Sequence, residues 1–141
     1  MTSLPGGVPF PTLVVGSLPR PQWIRDLVQD RKAGRVSLGE ADRLLDGAIP
    51  SAVHMQERAG LDFISDGEWR RESYVKVFAD AVDGFKPDLI GGGTIGFSTL
   101  QYPAVVSKLV PRRRIAVEEA SFLRDQTGSR IIVAVPSPYT V

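Results

Sequence analysis

Leu61-Asp62-Phe63-Ile64-Ser65, followed at once by Asp66-Gly67-Glu68, is the stretch on which the fold reading turns. A short run with an apolar centre stops at polar, turn-forming residues, which is how a strand ends. Upstream, Gly60 marks the end of a helix that opens at Ser37-Leu38-Gly39-Glu40, a capping-box pattern. Ala41, Leu44, Leu45, Ala48, Ile49, Ala52 and Val53 fall on one face of that helix. Pro50 lies inside it, removes one backbone hydrogen bond and predicts a kink. Further back, Trp23, Ile24, Leu27 and Val28 recur at helical spacing and Gly34 closes the segment. Before them Thr12-Leu13-Val14-Val15 predicts a first strand, ending at the turn Gly16-Ser17-Leu18-Pro19-Arg20-Pro21. Residues 1–11 read as a loose leader.

Downstream, a third helix is predicted over about Glu72 to Val82, with Tyr74, Val75, Phe78 and Val82 on its apolar side. Residues 84–110 break the pattern and read as an irregular β excursion, in which Thr94 to Phe97 and Ala104 to Leu109 can pair. Gly91-Gly92-Gly93 within it is a flexible element, because no Lys-Ser/Thr follows to make a phosphate loop. Arg114 to Gly128 is again helical, with Gly128 as its cap, and Arg130 to Val135 is the most β-branched strand. It runs into Pro136-Ser137-Pro138-Tyr139. Strands alternating with helices imply an α/β fold with a parallel sheet. In such folds function gathers at the C-terminal strand ends. Here those ends carry Gly16-Ser17, Asp66-Gly67-Glu68 and Pro136-Ser137-Pro138.

Composition narrows the function classes. The chain has 141 residues, 43% hydrophobic and 23% charged, which excludes a disordered tail. Seventeen Lys+Arg stand against 16 Asp+Glu, a net charge of +1, so no overall field favours nucleic acid or a membrane surface. With no Cys there is no disulfide, no thiolate nucleophile and no thiolate metal ligand. No apolar run reaches the roughly 20 residues of a membrane helix. No signal peptide is recognisable, so the expected location is cytoplasmic.

The strand-end blocks carry a resemblance. Val15-Gly16-Ser17-Leu18-Pro19-Arg20-Pro21 resembles the opening block of the cobalamin-independent methionine synthase family. Gln56-Glu57-Arg58-Ala59-Gly60-Leu61-Asp62, with Ile64-Ser65-Asp66-Gly67-Glu68-Trp69-Arg70-Arg71, resembles its second block. Pro136-Ser137-Pro138-Tyr139 resembles a later strand end. The resemblance implies a partial TIM (β/α)8 barrel. Residues 1–141 would supply about the first three βα units, completed by another chain, by a missing C-terminal portion or by self-association as a homo-oligomer. It implies a methyltransferase acting on a small thiol amino acid such as homocysteine, with a methyl-folate as the candidate donor. It implies zinc held by His, Cys and Glu residues outside this chain. Gly16, Ser17 and Glu68 match the family's substrate-binding positions, and Asp66, Trp69 and Ser137 are candidate pocket positions. No catalytic residue and no metal ligand carries over.

The residue types suit that role. A carboxylate at Glu68 can pair with a substrate ammonium group, and Gly67 beside it lets backbone approach a ligand closely. Gly16-Ser17 offers backbone N–H groups and a hydroxyl to a substrate carboxylate. Plainer readings stand beside these. Asp66 can cap a following helix and Glu68 can favour that helix's N-terminus. Arg70 and Arg71 can bind an acidic substrate tail, but a solvated face or a barrel salt bridge is the preferred reading. Arg112-Arg113-Arg114 reads as a solvated helix start, His54 as a helix-surface residue, and Trp23 and Trp69 as packing residues. Two other functions stay open: a non-catalytic amino-acid-binding module without the metal, and a transferase or lyase that uses another thiol. A partial barrel also predicts exposed apolar strand faces, each buried Val or Ile being worth roughly 1.5–3 kcal/mol.

Overall fold

The computed structural model describes residues 10–89 and 102–137. The expected Gly91-Gly92-Gly93 element, the Thr94 to Phe97 strand, most of the leader and Pro138-Tyr139 lie outside the described residues. The chain divides into two compact units, one of residues up to Arg70 with Glu119–Val133, the other of Arg71–Glu118 with the segment from Ala134 onward.

The first unit is built on two helices, α1 (Gln22–Lys32) and α2 (Leu38–Arg58). Helix α1 ends where Gly34 N–H donates to Arg31 C=O (3.1 Å) and Arg35 N–H to Asp30 C=O (2.9 Å). Helix α2 ends in the same way, with Gly60 N–H on Glu57 C=O (2.9 Å) and Leu61 N–H on Gln56 C=O (3.2 Å). Both are Schellman closures, and both glycines stand where the sequence predicts a stop. At the other end of α2, Ser37 Oγ accepts from Glu40 N–H at 3.3 Å, as the capping pattern requires. Helix α2 continues through Pro50.

The core of this unit is one cluster: Ile24, Leu27 and Val28 from α1, the small and branched face of α2, and Ile64, Trp69 and Leu123. Of the face expected on α2, Leu44 is the exception, half exposed beside a fully buried Leu45. It sits at the edge of the apolar stripe rather than at its centre. Strand β1 (Phe63–Ile64) pairs in parallel with the last strand of the chain (Arg130–Ile131), Phe63 opposite Arg130 and Ile64 opposite Ile131. Ile132 N–H adds a bond to Ile64 C=O at 2.9 Å. The parallel pairing agrees with the alternation of the sequence, and the fold is α/β.

The expected first strand does not form as a strand. Thr12 C=O accepts from Asp62 N–H and Phe63 N–H, each at 3.1 Å, but Thr12 N–H is taken by Asp62 Oδ2 at 2.8 Å. A side chain occupies the donor that a ladder would use. From Leu13 onward the run carries no ladder, and Val15 is 90% exposed.

In the second unit, α3 (Lys76–Ala79) is four residues long, far shorter than the expected helix, and Val82 belongs to the next strand. That strand, β2 (Val82–Leu89), pairs antiparallel with β3 (Tyr102–Pro111), so Ala104 to Leu109 is β as expected, with β2 as its partner. Gly84 lies inside β2, at a bulge in the strand pair. Its φ is +104°, the register shifts beside it, and a Cβ would lie 2.7 Å from Lys108 O. Phe78 and Phe85 meet edge to face at 5.9 Å. Helix α4 (Val117–Gln126) follows the exposed Arg112–Arg114. Gly128 does not take the left-handed conformation expected of a cap. Back in the first unit, β4 (Arg130–Ile131), the partner of β1, is two residues long. No helix among the described residues is long and apolar enough to cross a membrane.

Candidate functional site

The turn after β1 is held by its own side chains. Ser65 Oγ accepts from Gly67 N–H (3.1 Å) and Asp66 Oδ1 accepts from Glu68 N–H (2.9 Å). These are local side-chain turns of the kind Ser and Asp favour. They drive Gly67 and Glu68 into consecutive left-handed conformations, φ 72° and 56°. For a non-glycine residue that conformation costs roughly 1–2 kcal/mol, so the surrounding bonds must over-determine it. They do: Arg20 Nη2 donates to Glu68 C=O at 2.7 Å, and Leu18 N–H donates to Gly67 C=O at 3.1 Å. Gly67 is also confined in space, since a Cβ would stand 3.1 Å from Leu18 Cδ1 and 3.3 Å from Trp69 Nε1.

This geometry aims the Glu68 side chain at the other turn. Ser17 Oγ donates to Glu68 Oε2 at 2.9 Å, next to Gly16 with φ +82°. Two of the three positions that the resemblance singles out are therefore in direct contact, and the third is adjacent in sequence. Arg20 brings positive charge to the same turn. Burial pushes its guanidinium below its ordinary value, and the nearby Glu68 carboxylate opposes that shift.

The other expected residues are placed as follows. Asp66 is buried and closes a turn; no helix begins there, so neither the helix-cap reading of Asp66 nor the helix-terminus reading of Glu68 applies. Trp69 is 1% exposed and belongs to the core, so it packs beneath the turn rather than lining an open pocket. Ser137 is exposed and belongs to the second unit. Arg70 pairs with Asp46 and lies over the Phe122 ring at 4.3 Å. Arg71 is buried and donates to Ala134 C=O at 2.8 Å. Neither arginine forms a solvated face. His54 is exposed on α2. Among the described residues no three His, Asp or Glu side chains come together as a metal site, so the zinc that the resemblance implies does not fit the residues seen here.

Three participants escape the sequence reading of the site. Arg20 and Ser65 lie inside the quoted blocks but carry no assigned role there. Gln56 is a polar residue in the apolar stripe of α2, one turn beyond Ala52, and that misfit is the signal that finds it.

A family model for the cobalamin-independent synthase catalytic domain matches residues 10–121. The chain belongs to this family. The matched span contains Gly16, Ser17 and Glu68 and stops before Ser137. The chain is 34% identical over 134 residues to a methionine synthase of Sulfurisphaera tokodaii, covering 94% of this chain and 39% of that protein. A methionine synthase of Saccharolobus solfataricus is 33% identical over 135 residues, with 94% and 40% covered. Among solved structures, a B12-independent methionine synthase from Shewanella sp. W3-18-1 in complex with selenomethionine matches with a TM-score of 0.70 at 28% identity, over 92% of this chain and 38% of that one. The chain thus spans about two fifths of the length of the curated relatives it matches.

Proposed function

We propose that this chain is the N-terminal part of a methionine-synthase-like (β/α)8 barrel and holds the amino-acid end of a thiol substrate such as homocysteine. The observation that carries the reading is the 2.9 Å contact between Ser17 Oγ and Glu68 Oε2, which joins the two matched sequence blocks in one place. An α-amino acid presents an ammonium group and a carboxylate on one carbon atom. Glu68, acceptor-only when ionised, pairs with the ammonium. The backbone N–H groups of the Gly16-Ser17 turn donate to the carboxylate, and the Ser17 hydroxyl, whose one proton goes to Glu68 in the free protein, joins them when Glu68 turns to the ammonium. Holding both ends fixes the position of the thiol and so favours transfer through orientation.

The methyl transfer itself lies with residues outside this chain, on a second polypeptide or a C-terminal continuation. Zinc and a methyl-folate donor belong to that remainder, and no step is assigned to them here. The exposed Val15 is an apolar residue that such a remainder would cover. A cytoplasmic location goes with this reading, since a chain without Cys draws nothing from an oxidising compartment.

The test is the mass and metal content of the protein isolated from its native source. The reading expects an assembly carrying a complete barrel and about one zinc per assembly. A metal-free, stable monomer that binds an amino acid would establish the binding-module alternative instead. Within the assembly, unchanged thiol-substrate affinity in Glu68→Gln would remove Glu68 from the site.

A further inference from the structure

We propose that Gln56 is a positioning residue that acts through Ser65 to set the Gly67–Glu68 turn, and so the direction of the Glu68 carboxylate. The inference rests on the substrate reading above and adds to it a control point on the far side of the turn.

Gln56 is 2% exposed, on the face of α2 that is otherwise apolar. A buried amide is tolerated only when its hydrogen-bonding capacity is met. Here Nε2 donates to Ala52 C=O at 2.9 Å and to Ser65 C=O at 2.7 Å. Oε1 accepts from Ser65 N–H at 3.1 Å and from Ser65 Oγ at 3.2 Å. One side chain thus grips donor, acceptor and hydroxyl of a single residue. The Ser65 hydroxyl spends its proton on Gln56, so its oxygen is turned to accept from Gly67 N–H at 3.1 Å. That last bond holds the first of the two left-handed residues. The chain of contact runs from a rigid helix, through a strand end, into the one backbone segment of the site that a non-glycine residue adopts only under constraint.

A residue kept only for packing would be served better by Leu or Met, which need no partners. Gln is the side chain that can donate and accept at once toward the same backbone unit. Helix α2 therefore contributes rigidity to the turn in addition to its apolar face.

The experiment compares the protein with Gln56→Leu and Ser65→Ala by amide hydrogen exchange, and measures binding of L-homocysteine to the assembled protein by calorimetry, with Glu68→Gln as control. Ser65→Ala removes only the hydroxyl and serves if Gln56→Leu does not fold. The expected result is exchange of the Gly67 and Glu68 amides accelerated by about tenfold or more in both variants, with the α2 amides unchanged. Equal acceleration throughout α2 would make Gln56 an ordinary core residue and overturn the proposal, and so would unchanged exchange at the turn. In the binding arm, loss of affinity in Gln56→Leu alongside Glu68→Gln supports the inference. Loss in Glu68→Gln alone overturns it while leaving the substrate reading standing. Absence of binding in the unaltered assembly counts against the substrate reading only, and the exchange pattern then decides the positioning role by itself.

Discussion

Ser17 and Glu68 stand 51 positions apart in sequence, yet the serine hydroxyl donates to the glutamate carboxylate at 2.9 Å. The contact requires two separate left-handed turns, at Gly16 and at Gly67–Glu68, to face each other. Each turn has local causes, and bonds from Leu18 and Arg20 of the first turn hold the second. Their meeting is a property of the tertiary fold, and it puts a hydroxyl and a carboxylate where a zwitterionic ligand would need both.

Replacing either partner separates binding from folding. Ser17 is exposed, so Ser17→Ala is expected to change unfolding stability by less than about 1 kcal/mol. Its effect on L-homocysteine affinity in the assembled protein is expected at about tenfold, and Glu68→Gln is expected to exceed it, because a charge-assisted bond is the stronger one. Calorimetric titration measures both. Equal affinity in all three proteins would show that the contact is structural.

The two site glycines differ in what they require. Gly16 has φ +82° with nothing within 4 Å of a Cβ, whereas Gly67 has φ +72° with Leu18 and Trp69 in the way. Gly16→Ala is expected to lose roughly 1–2 kcal/mol from backbone strain alone. Gly67→Ala adds overpacking of about 1–3 kcal/mol. Denaturant unfolding ranks them, and a Gly16→Ala as damaging as Gly67→Ala would contradict the packing described around the second turn.

Much of this was legible beforehand, and the reasons differ by element. Helices α1 and α2 announce themselves because their caps and apolar stripes are local: Ser37 and Gly60 need only their own neighbours. Parallel pairing follows from alternation alone. The strand expected at Thr12 to Val15 has the right residue types, but its pairing donor goes to the Asp62 side chain, a contact 50 positions away that no local pattern encodes. The helix expected from Glu72 to Val82 has an apolar period, yet Gly84 and the hairpin behind it draw Val82 into a strand. At the site, the strand-end blocks pointed to Ser17 and Glu68. They left Gln56 unassigned because its role depends on Ser65, just past β1, lying beside it. Trp69 sits beside Glu68 in sequence but packs on the opposite side of the turn, into the core.

Leu44 and Leu45 test the helix face directly. Periodicity puts both on the apolar side of α2, but Leu45 is fully buried and Leu44 is half exposed. Leu45→Ala is expected to destabilise by about 2–5 kcal/mol through lost burial and a residual cavity. Leu44→Ala is expected to fall below about 1 kcal/mol. Thermal or urea unfolding of the two variants decides the matter, and comparable losses would mean that α2 is rotated from the position described.

Acid should loosen the tie between Thr12 and β1. The Asp62 carboxylate accepts from Thr12 N–H and Thr12 Oγ1, both at 2.8 Å, and these bonds hold its pKa below the ordinary aspartate value, with Arg130 helping from further away. A depressed folded pKa means that the ionised form is favoured in the folded chain. Its stabilising effect is therefore complete above the unfolded aspartate pKa of about 3.9. It fades as pH falls through the lower folded value, because protonation leaves Oδ2 a poorer acceptor for both donors. Asp62→Asn lacks the titration. Unfolding midpoints measured from neutral pH downward should show the parent chain more stable than Asp62→Asn at pH 6, with the gap closing below about pH 4. A gap that stays constant into strong acid would mean that the Thr12 contacts do not depend on the charge, and that this end of the chain is held by its backbone bonds to Asp62 and Phe63 alone.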